Sequence, residues 1–92
     1  MRLENKVALI SGGARGIGAA TAQLFCKEGA TIVIGDILEQ QGAKLVNHLN
    51  QQGANTLFTK LDVSAESDWQ RTIELVSNTF NKIDILVNTA GV

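Results

Sequence analysis

Four short apolar runs, separated by three longer stretches with helical spacing, constrain the fold of this 92-residue chain more than any other feature. The runs cover residues 7–11, 31–35, 55–61 and 83–88, and they are rich in aliphatic and β-branched side chains. Short continuous runs of this kind are typical of strands buried on both faces, as in a parallel sheet. The alternation therefore predicts the order βαβαβαβ.

The intervening stretches, residues 16–28, 38–52 and 65–80, carry apolar side chains three and four positions apart, as amphipathic helices do. The predicted apolar faces are Ile17, Ala20, Thr21 and Leu24 with Phe25 beside them, then Leu38, Leu45, Val46 and Leu49, and finally Trp69, Ile73, Val76 and Phe80.

Helix boundaries follow from local residue preferences. Ser64, with Asp68 close behind, predicts a capped and acidic first turn for the third helix. Gly29 and Gly53 predict left-handed closures of the first two helices, and Asn81 predicts the same for the third.

The predicted fold class is α/β: a Rossmann-type doubly wound parallel sheet, incomplete at four strands, with helices on both faces. We take residues 1–92 as the N-terminal part of a single domain. Ligands of such sheets bind at the carboxyl ends of the strands, where the strand order reverses. Candidate site residues are therefore sought just after each apolar run.

Composition excludes several classes of function. Eight basic and nine acidic residues give a net charge of −1, so no electrostatic footprint for nucleic acid or an anionic membrane exists. One Cys and one His build neither an internal disulfide nor a structural zinc site, and no metal is expected. No apolar run approaches a signal-peptide core or a membrane span. We expect a cytoplasmic protein.

The first predicted strand leads into Ser11-Gly12-Gly13-Ala14-Arg15-Gly16-Ile17-Gly18, which opens the first helix. Glycines let the backbone turn tightly and let a pyrophosphate approach it. The N–H groups at the helix start then hold the anion. The spacing is neither that of the nucleoside-triphosphatase phosphate loop nor the commoner G-x-G-x-x-G.

Asp36 follows the second strand, where a carboxylate can accept hydrogen bonds from an adenosine ribose. The same carboxylate repels a 2′-phosphate, which favours NAD over NADP. Arg15 argues the other way because a guanidinium pairs well with phosphate, so NADP stays possible. Asp62-Val63 after the third strand and Asn88-Thr89-Ala90-Gly91 after the fourth complete the set of polar strand ends.

With these four motifs in order, the whole chain resembles the short-chain dehydrogenase/reductase family. The family's T-G-x-x-x-G-x-G corresponds to the stretch from Ser11 to Gly18, and its N-N-A-G corresponds to Asn88-Thr89-Ala90-Gly91. Among its members the chain looks most like the NAD-dependent alcohol and hydroxysteroid dehydrogenases. Thr89 departs from the family's second Asn, which puts the local anchoring of the fourth strand in doubt.

The resemblance implies a cofactor role for each matched residue. Phosphates would contact Gly12, Gly16, Ile17 and Gly18, with Arg15 beside them; the ribose would contact Asp36; adenine would contact Asp62 and Val63; and Asn88, Ala90 and Gly91 would lie along the cofactor.

The resemblance also implies hydride transfer on an alcohol or ketone, with the full-length protein a homodimer or homotetramer. The family's proton donor is the Tyr of a Tyr-x-x-x-Lys pair, and this chain has no Tyr. We assign no catalytic residue and expect the 92 residues alone to be inactive and marginally stable, as a front fragment lacking the catalytic part.

Two alternatives stay open. One is an S-adenosylmethionine-dependent methyltransferase-type domain, which also uses a glycine-rich first turn and an acid after the second strand. The other is a non-catalytic dinucleotide-binding protein, since fold alone does not determine chemistry. Trp69 is interpreted as a packing anchor, and lone Cys26 and His48 as helix residues without a chemical role.

Overall fold

A computed structural model describes residues 2–89 as one alternating series of strands and helices. The elements are β1 (Val7–Ser11), α1 (Gly16–Lys27), β2 (Thr31–Asp36), α2 (Glu39–Gln51), β3 (Thr56–Lys60), α3 (Glu66–Phe80) and β4 (Ile85–Asn88). The predicted βαβαβαβ order is confirmed. The fourth strand begins two positions later than the apolar run that predicted it.

The four strands form one parallel sheet in the order β3-β2-β1-β4. Ser11 at the end of β1 pairs with Gly35 on one side and with Asn88 on the other. Chain progression reverses between β1 and β4, and this reversal is where doubly wound sheets open a crevice. We call the side where the strands end the carboxyl edge and the opposite side the amino edge.

Helices cover both faces of the sheet, as predicted. On one face α1 and α2 pack against alternate strand residues, in a buried cluster that includes Ala8, Ile10, Ala22, Ala30, Ile32, Ile34 and Leu49. On the other face α3 contributes Val76 to a second buried cluster with Val7, Leu9 and Val33. Every residue of β1 is buried, as expected for a strand covered on both faces.

The predicted apolar face of α1 is wrong at Ile17 and Leu24, whereas Phe25, predicted beside it, packs against the buried cluster. Ile17 is 79% exposed and Leu24 is 57% exposed, whereas Gly18 and Ala22 are the buried residues of this helix. At Gly18 the helix lies so close to the loop after β1 that no larger residue fits there. A hydrophobicity pattern gives most weight to large apolar residues. In α1 two of these residues face the solvent, so the pattern predicted the wrong side.

The face of α3 is predicted correctly except at one position. Val76 is buried and Trp69 and Phe80 pack beside it, but Ile73 is 45% exposed and its neighbour Thr72 is buried instead. The cap assigned to Ser64 is also wrong, because Ala65 is the N-cap residue and no side chain caps the helix. The acidic first turn is confirmed by Glu66 and Asp68.

The predicted helix ends are confirmed. Gly29 and Gly53 have φ of 91°, and Asn81 has φ of 68°. These left-handed residues stop each helix at the amino edge and turn the chain into the next strand. Each helix begins at the carboxyl edge and runs back to the amino edge. All three helix N-termini therefore lie on the side where a ligand is expected.

Candidate functional site

A groove of about 890 Å³ lies at the carboxyl edge, between the loops that follow the four strands. Its volume falls within the range of ordinary small-molecule sites, roughly 300–1,000 Å³. Nine of the predicted site residues line it: Gly12, Arg15, Gly16, Ile17, Gly18, Asp36, Asp62, Val63 and Asn88. The other two, Ala90 and Gly91, lie outside the described residues.

The glycine-rich turn after β1 is shaped by close backbone contacts. Gly12 has φ of 72°, and its N–H donates to the Gly35 carbonyl at 2.7 Å. A Cβ placed on Gly18 would lie 2.1 Å from the Gly12 carbonyl oxygen. Only hydrogen fits at position 18, so the start of α1 can lie directly against the turn that lines the groove.

The N-terminus of α1 carries no side-chain cap. Arg15 occupies the N-cap position with an extended backbone, and no side-chain hydrogen bond closes the first turn. The first N–H groups of a helix have no partner within it and carry partial positive charge. The N–H groups of Gly16, Ile17 and Gly18 are thus suited to bind an anion.

Asp36 links two of the loops that form the groove. Asp36 is 8% exposed, and its two carboxylate oxygens accept hydrogen bonds from the Ala14 N–H at 3.1 Å and the Leu38 N–H at 3.0 Å. Each carboxylate oxygen has a second lone-pair direction available. Asp36 therefore orders the glycine-rich turn and keeps accepting capacity for a hydroxyl in the groove.

Asp62 lies at the exposed border of the groove and is held locally. Its Oδ1 accepts hydrogen bonds from the Ser64 hydroxyl at 2.6 Å and from the Ser64 N–H at 3.0 Å. The Ser64 hydroxyl and then the Ser64 N–H lower the pKa of Asp62 below its ordinary value. The carboxylate stays ionised near neutral pH, which suits it to accept hydrogen bonds.

Thr89 anchors the end of β4, where the sequence left the anchoring in doubt. Its hydroxyl contacts the Ser11 carbonyl at 2.8 Å and the Gly12 carbonyl at 3.1 Å. The Ser11 hydroxyl donates to Asn88 Oδ1 at 2.7 Å. The Thr89 N–H also donates to the Ser11 carbonyl at 3.0 Å, so Thr in place of Asn still ties β4 to the glycine-rich turn.

Sequence reasoning missed part of the groove lining. Ile37, Leu38, Leu61 and Thr89 also line it. Ile37 is 60% exposed, which is unusual for a large aliphatic side chain next to a buried strand. Its position immediately after Asp36 could have identified it from the sequence, since residues just past a strand end line such grooves.

Within residues 2–89 no cluster of His, Cys, Asp and Glu could hold a metal ion. Over the same residues no helix is long and apolar enough to cross a membrane.

Comparisons with known proteins agree with this geometry. The family model described as short chain dehydrogenase matches residues 6–92. A 2,5-dichloro-2,5-cyclohexadiene-1,4-diol dehydrogenase, LinX, from Sphingobium indicum is 43% identical over 91 residues, which are 99% of this chain and 36% of LinX. Trans-4-hydroxycyclohexanecarboxylate dehydrogenase from Sinomonas cyclohexanicum is 41% identical, over 99% of this chain and 38% of that protein.

A solved structure shares the fold. The apo form of LigD from Sphingobium sp. strain SYK-6 superposes with a TM-score of 0.88 at 29% identity, over 91% of this chain and 36% of LigD. The chain thus spans about a third of the length of the relatives it matches. A family match that covers nearly the whole chain, together with the parallel sheet and its glycine-rich turn, shows that this chain belongs to the short chain dehydrogenase family.

Proposed function

We propose that this chain is the cofactor-binding part of an NAD(H)-dependent oxidoreductase that interconverts alcohols and ketones. Membership of the short chain dehydrogenase family supports the reaction class, and several relatives carry the word dehydrogenase in their names. The family assignment argues against the methyltransferase alternative. The preference for NAD rests on one observation, the placement of Asp36 in the groove.

The residues of the groove fit a dinucleotide. The uncapped start of α1 and the close approach at Gly18 leave backbone N–H groups facing the place where a pyrophosphate would sit. Asp36 lies one strand further along the sheet, beside β3 and its loop. The adenosine half of the cofactor would therefore extend over β2 and β3, towards Asp62 and Val63.

Charge and burial favour NAD over NADP. Asp36 is buried and ordered by two backbone N–H groups, so its charge is fixed at the groove wall. A 2′-phosphate about 4 Å away would be opposed by about 4 kcal/mol per unit charge at an effective dielectric constant near 20. Arg15 is exposed, and its guanidinium makes no hydrogen bond or ion pair with the described residues, so it is not fixed near a 2′-phosphate.

The bound nicotinamide would supply the hydride chemistry, and the residues of this chain would bind and orient the dinucleotide. A carbonyl or alcohol oxygen also needs a group that gives or takes a proton. The sequence contains no Tyr, the residue that the family resemblance assigns to this step. The 92 residues are accordingly proposed to bind cofactor without turnover. The oligomeric state and the cytoplasmic location stay predictions.

The Asp36→Ala variant tests the cofactor preference. Loss of a charge-assisted hydrogen bond costs roughly 1.5–3 kcal/mol, so NADH should bind at least about tenfold more weakly. The same change removes the repulsion of a 2′-phosphate, so NADPH should lose far less affinity or gain some. Calorimetric titration of both cofactors measures the ratio, which a general structural defect would leave unchanged.

Glu39→Ala is the matched control, because it removes an exposed carboxylate three residues away that does not line the groove. Its NADH to NADPH ratio should equal that of the unmodified protein. An unmodified protein that binds NADPH more tightly than NADH would show that Arg15, not Asp36, determines the preference.

A further inference from the structure

Side chains near the start of α3 hold the backbone of the loop that follows β3. The Trp69 indole Nε1–H donates to the Val63 carbonyl at 2.9 Å, and Asp68 Oδ2 accepts from the Asp62 N–H at 2.9 Å. The Arg71 guanidinium donates to the Lys60 carbonyl. Three side chains within one helical turn thus bind main-chain atoms on both sides of Leu61.

This loop is one wall of the groove, formed by Leu61, Asp62 and Val63. Leu61 is buried against Gly35, where a Cβ would lie 2.7 Å from the leucine Cδ2. The Leu61 N–H also donates to the Asp36 carbonyl at 3.1 Å. The conformation of the loop is therefore tied to the strand that presents Asp36.

Of the three contacts, the one from Trp69 is best placed to fix the loop. Its ring packs against the cluster of Val7, Leu9, Val33 and Val76, so packing sets the direction of the N–H. The hydrogen bond is partly buried, whereas the Asp68 contact is exposed. A bond shielded from water has less competition from solvent and contributes more to order.

We infer that Trp69 is a positioning residue for the adenosine end of the groove, which it serves by holding the Val63 carbonyl. The inference rests on the proposed function, because it assigns the wall at Val63 to the adenosine half of a dinucleotide. The strand order supports this assignment, since the loop lies beside Asp36 and on the far side of β1 from β4. Trp69 needs no contact with the ligand to act in this way.

The sharpest test replaces Trp69 with 3-benzothienylalanine, in which sulfur stands where indole has its N–H. The ring keeps its size and packing and loses only the donor. AMP probes the adenosine end, and inorganic pyrophosphate probes the glycine-rich turn alone. We expect affinity for AMP to fall about threefold to tenfold, the equivalent of one ordinary hydrogen bond, and affinity for pyrophosphate to stay unchanged.

Phe80→Leu is the packing control, because Phe80 borders the same cluster and does not line the groove. It should lower the thermal midpoint and leave the ratio of AMP to pyrophosphate affinity unaltered. Equal losses for both probes in the Trp69 variant, or no loss of AMP affinity, would overturn the inference and leave the proposed function standing. An unmodified protein that binds neither AMP nor NADH would overturn both.

A second readout uses the fact that the sequence has a single Trp. Its indole N–H gives one resonance in a ¹H–¹⁵N spectrum, and the bond to Val63 should slow its exchange with solvent. AMP should shift this resonance and pyrophosphate should not. A resonance that exchanges freely, or that responds equally to both probes, contradicts the assigned role.

Discussion

The helices end differently at the two edges of the sheet. At the amino edge α1 and α2 end in closed local turns: the Ala30 N–H donates to the Phe25 carbonyl and the Ala54 N–H donates to the Leu49 carbonyl, both at 3.1 Å. These pairs are the six-to-one bonds of Schellman closures. At the carboxyl edge none of the three helices has a side-chain cap.

Contacts between distant parts of the chain hold the loops of the carboxyl edge, and the amino edge has one such contact too, where the Val7 N–H donates to Asp84 Oδ2 at 2.8 Å. The Ser11 hydroxyl and the Asn88 amide oxygen are 77 positions apart, and Thr89 reaches back 78 positions to the Ser11 carbonyl. The Ala14 N–H meets Asp36 across 22 positions. These bonds fix the loops relative to one another without occupying the helix N-termini.

This difference between the helix ends makes the carboxyl edge the better suited of the two to bind a ligand. A local closure satisfies the backbone groups of its own helix and leaves nothing for a partner. Long-range contacts between loops fix the shape of a groove and leave the N–H groups at the helix starts available. Substitutions at each edge, each paired with a control, test this difference.

The largest effect is expected from Gly18→Ala at the carboxyl edge. The new methyl group would lie 2.1 Å from the Gly12 carbonyl oxygen and 2.8 Å from the Thr89 hydroxyl. The Gly12 backbone must shift, so we expect a loss of about 3 kcal/mol or more in the free energy of unfolding. Urea denaturation measures this loss, and NADH binding should disappear with it.

Gly42→Ala is the matched control because the overlap has the same size. A Cβ there would also lie 2.1 Å from its neighbour, but that neighbour is the half-buried ring of Phe58. A side chain can rotate away, and alanine improves the helix interior by about 1 kcal/mol. A loss in Gly42→Ala as large as that in Gly18→Ala would contradict the view that backbone contact makes position 18 critical.

The same pair of positions shows what the sequence determines about the fold. The order of strands and helices along the chain, and the helix ends, could be predicted because short apolar runs, glycines and Asn81 act locally. The packed face of α1 could not, because the close approach at Gly18 depends on where Gly12 lies after folding. A glycine adds nothing to a pattern of hydrophobic side chains, yet Gly18 determines which face of α1 is turned towards the rest of the protein.

The candidate site, too, could be predicted from the sequence only in part. The sequence located the wall residues, because polar and glycine residues just past strand ends stand out. It did not show that Asp36 binds the Ala14 N–H or that Trp69 binds the Val63 carbonyl. Both bonds end on backbone atoms, which are the same at every residue and so leave no trace in the sequence.

A smaller effect is expected from Thr89→Val, which removes the hydroxyl that ties β4 to the glycine-rich turn. Loss of this bond should lower the free energy of unfolding by about 1 kcal/mol. Thr21→Val is the control, because among residues 2–89 the Thr21 hydroxyl bonds only to the Ile17 carbonyl, within its own exposed helical turn. Thermal denaturation should show a clear decrease for Thr89→Val and almost none for Thr21→Val; equal decreases would contradict the distinction between long-range and local contacts.

Acid should weaken the amino edge through Asp84. The Val7 N–H, followed by Lys82, lowers the pKa of Asp84 below its ordinary value of 3.8. A depressed carboxyl pKa adds stability that is fully present above the unfolded-state pKa and is lost as pH falls through the folded-state value. In urea titrations between about pH 6 and about pH 2, Asp84→Asn should therefore be less stable at the higher pH and converge with the unmodified protein in acid.

Asp62→Asn is the companion at the carboxyl edge. The pKa of Asp62 is also lowered, but its partner Ser64 is only two residues away, and such turns persist in part in unfolded chains. As the pH falls, the difference in the free energy of unfolding between Asp62→Asn and the unmodified protein should change less than the corresponding difference for Asp84→Asn. The opposite order would mean that the sequence distance between partners does not determine their contribution to stability.

The smallest effect is expected from Asn81→Gly, at the end of α3. Asn81 has φ of 68°, and glycine adopts this conformation without steric cost but loses more freedom on folding. The two effects nearly cancel, so the free energy of unfolding should change by less than about 0.5 kcal/mol. Asn81→Ala lacks this compensation and should cost about 1 kcal/mol. Because the closure is local, both variants should bind NADH like the unmodified protein, whereas a loss of NADH affinity in either would show that the amino edge is coupled to the groove.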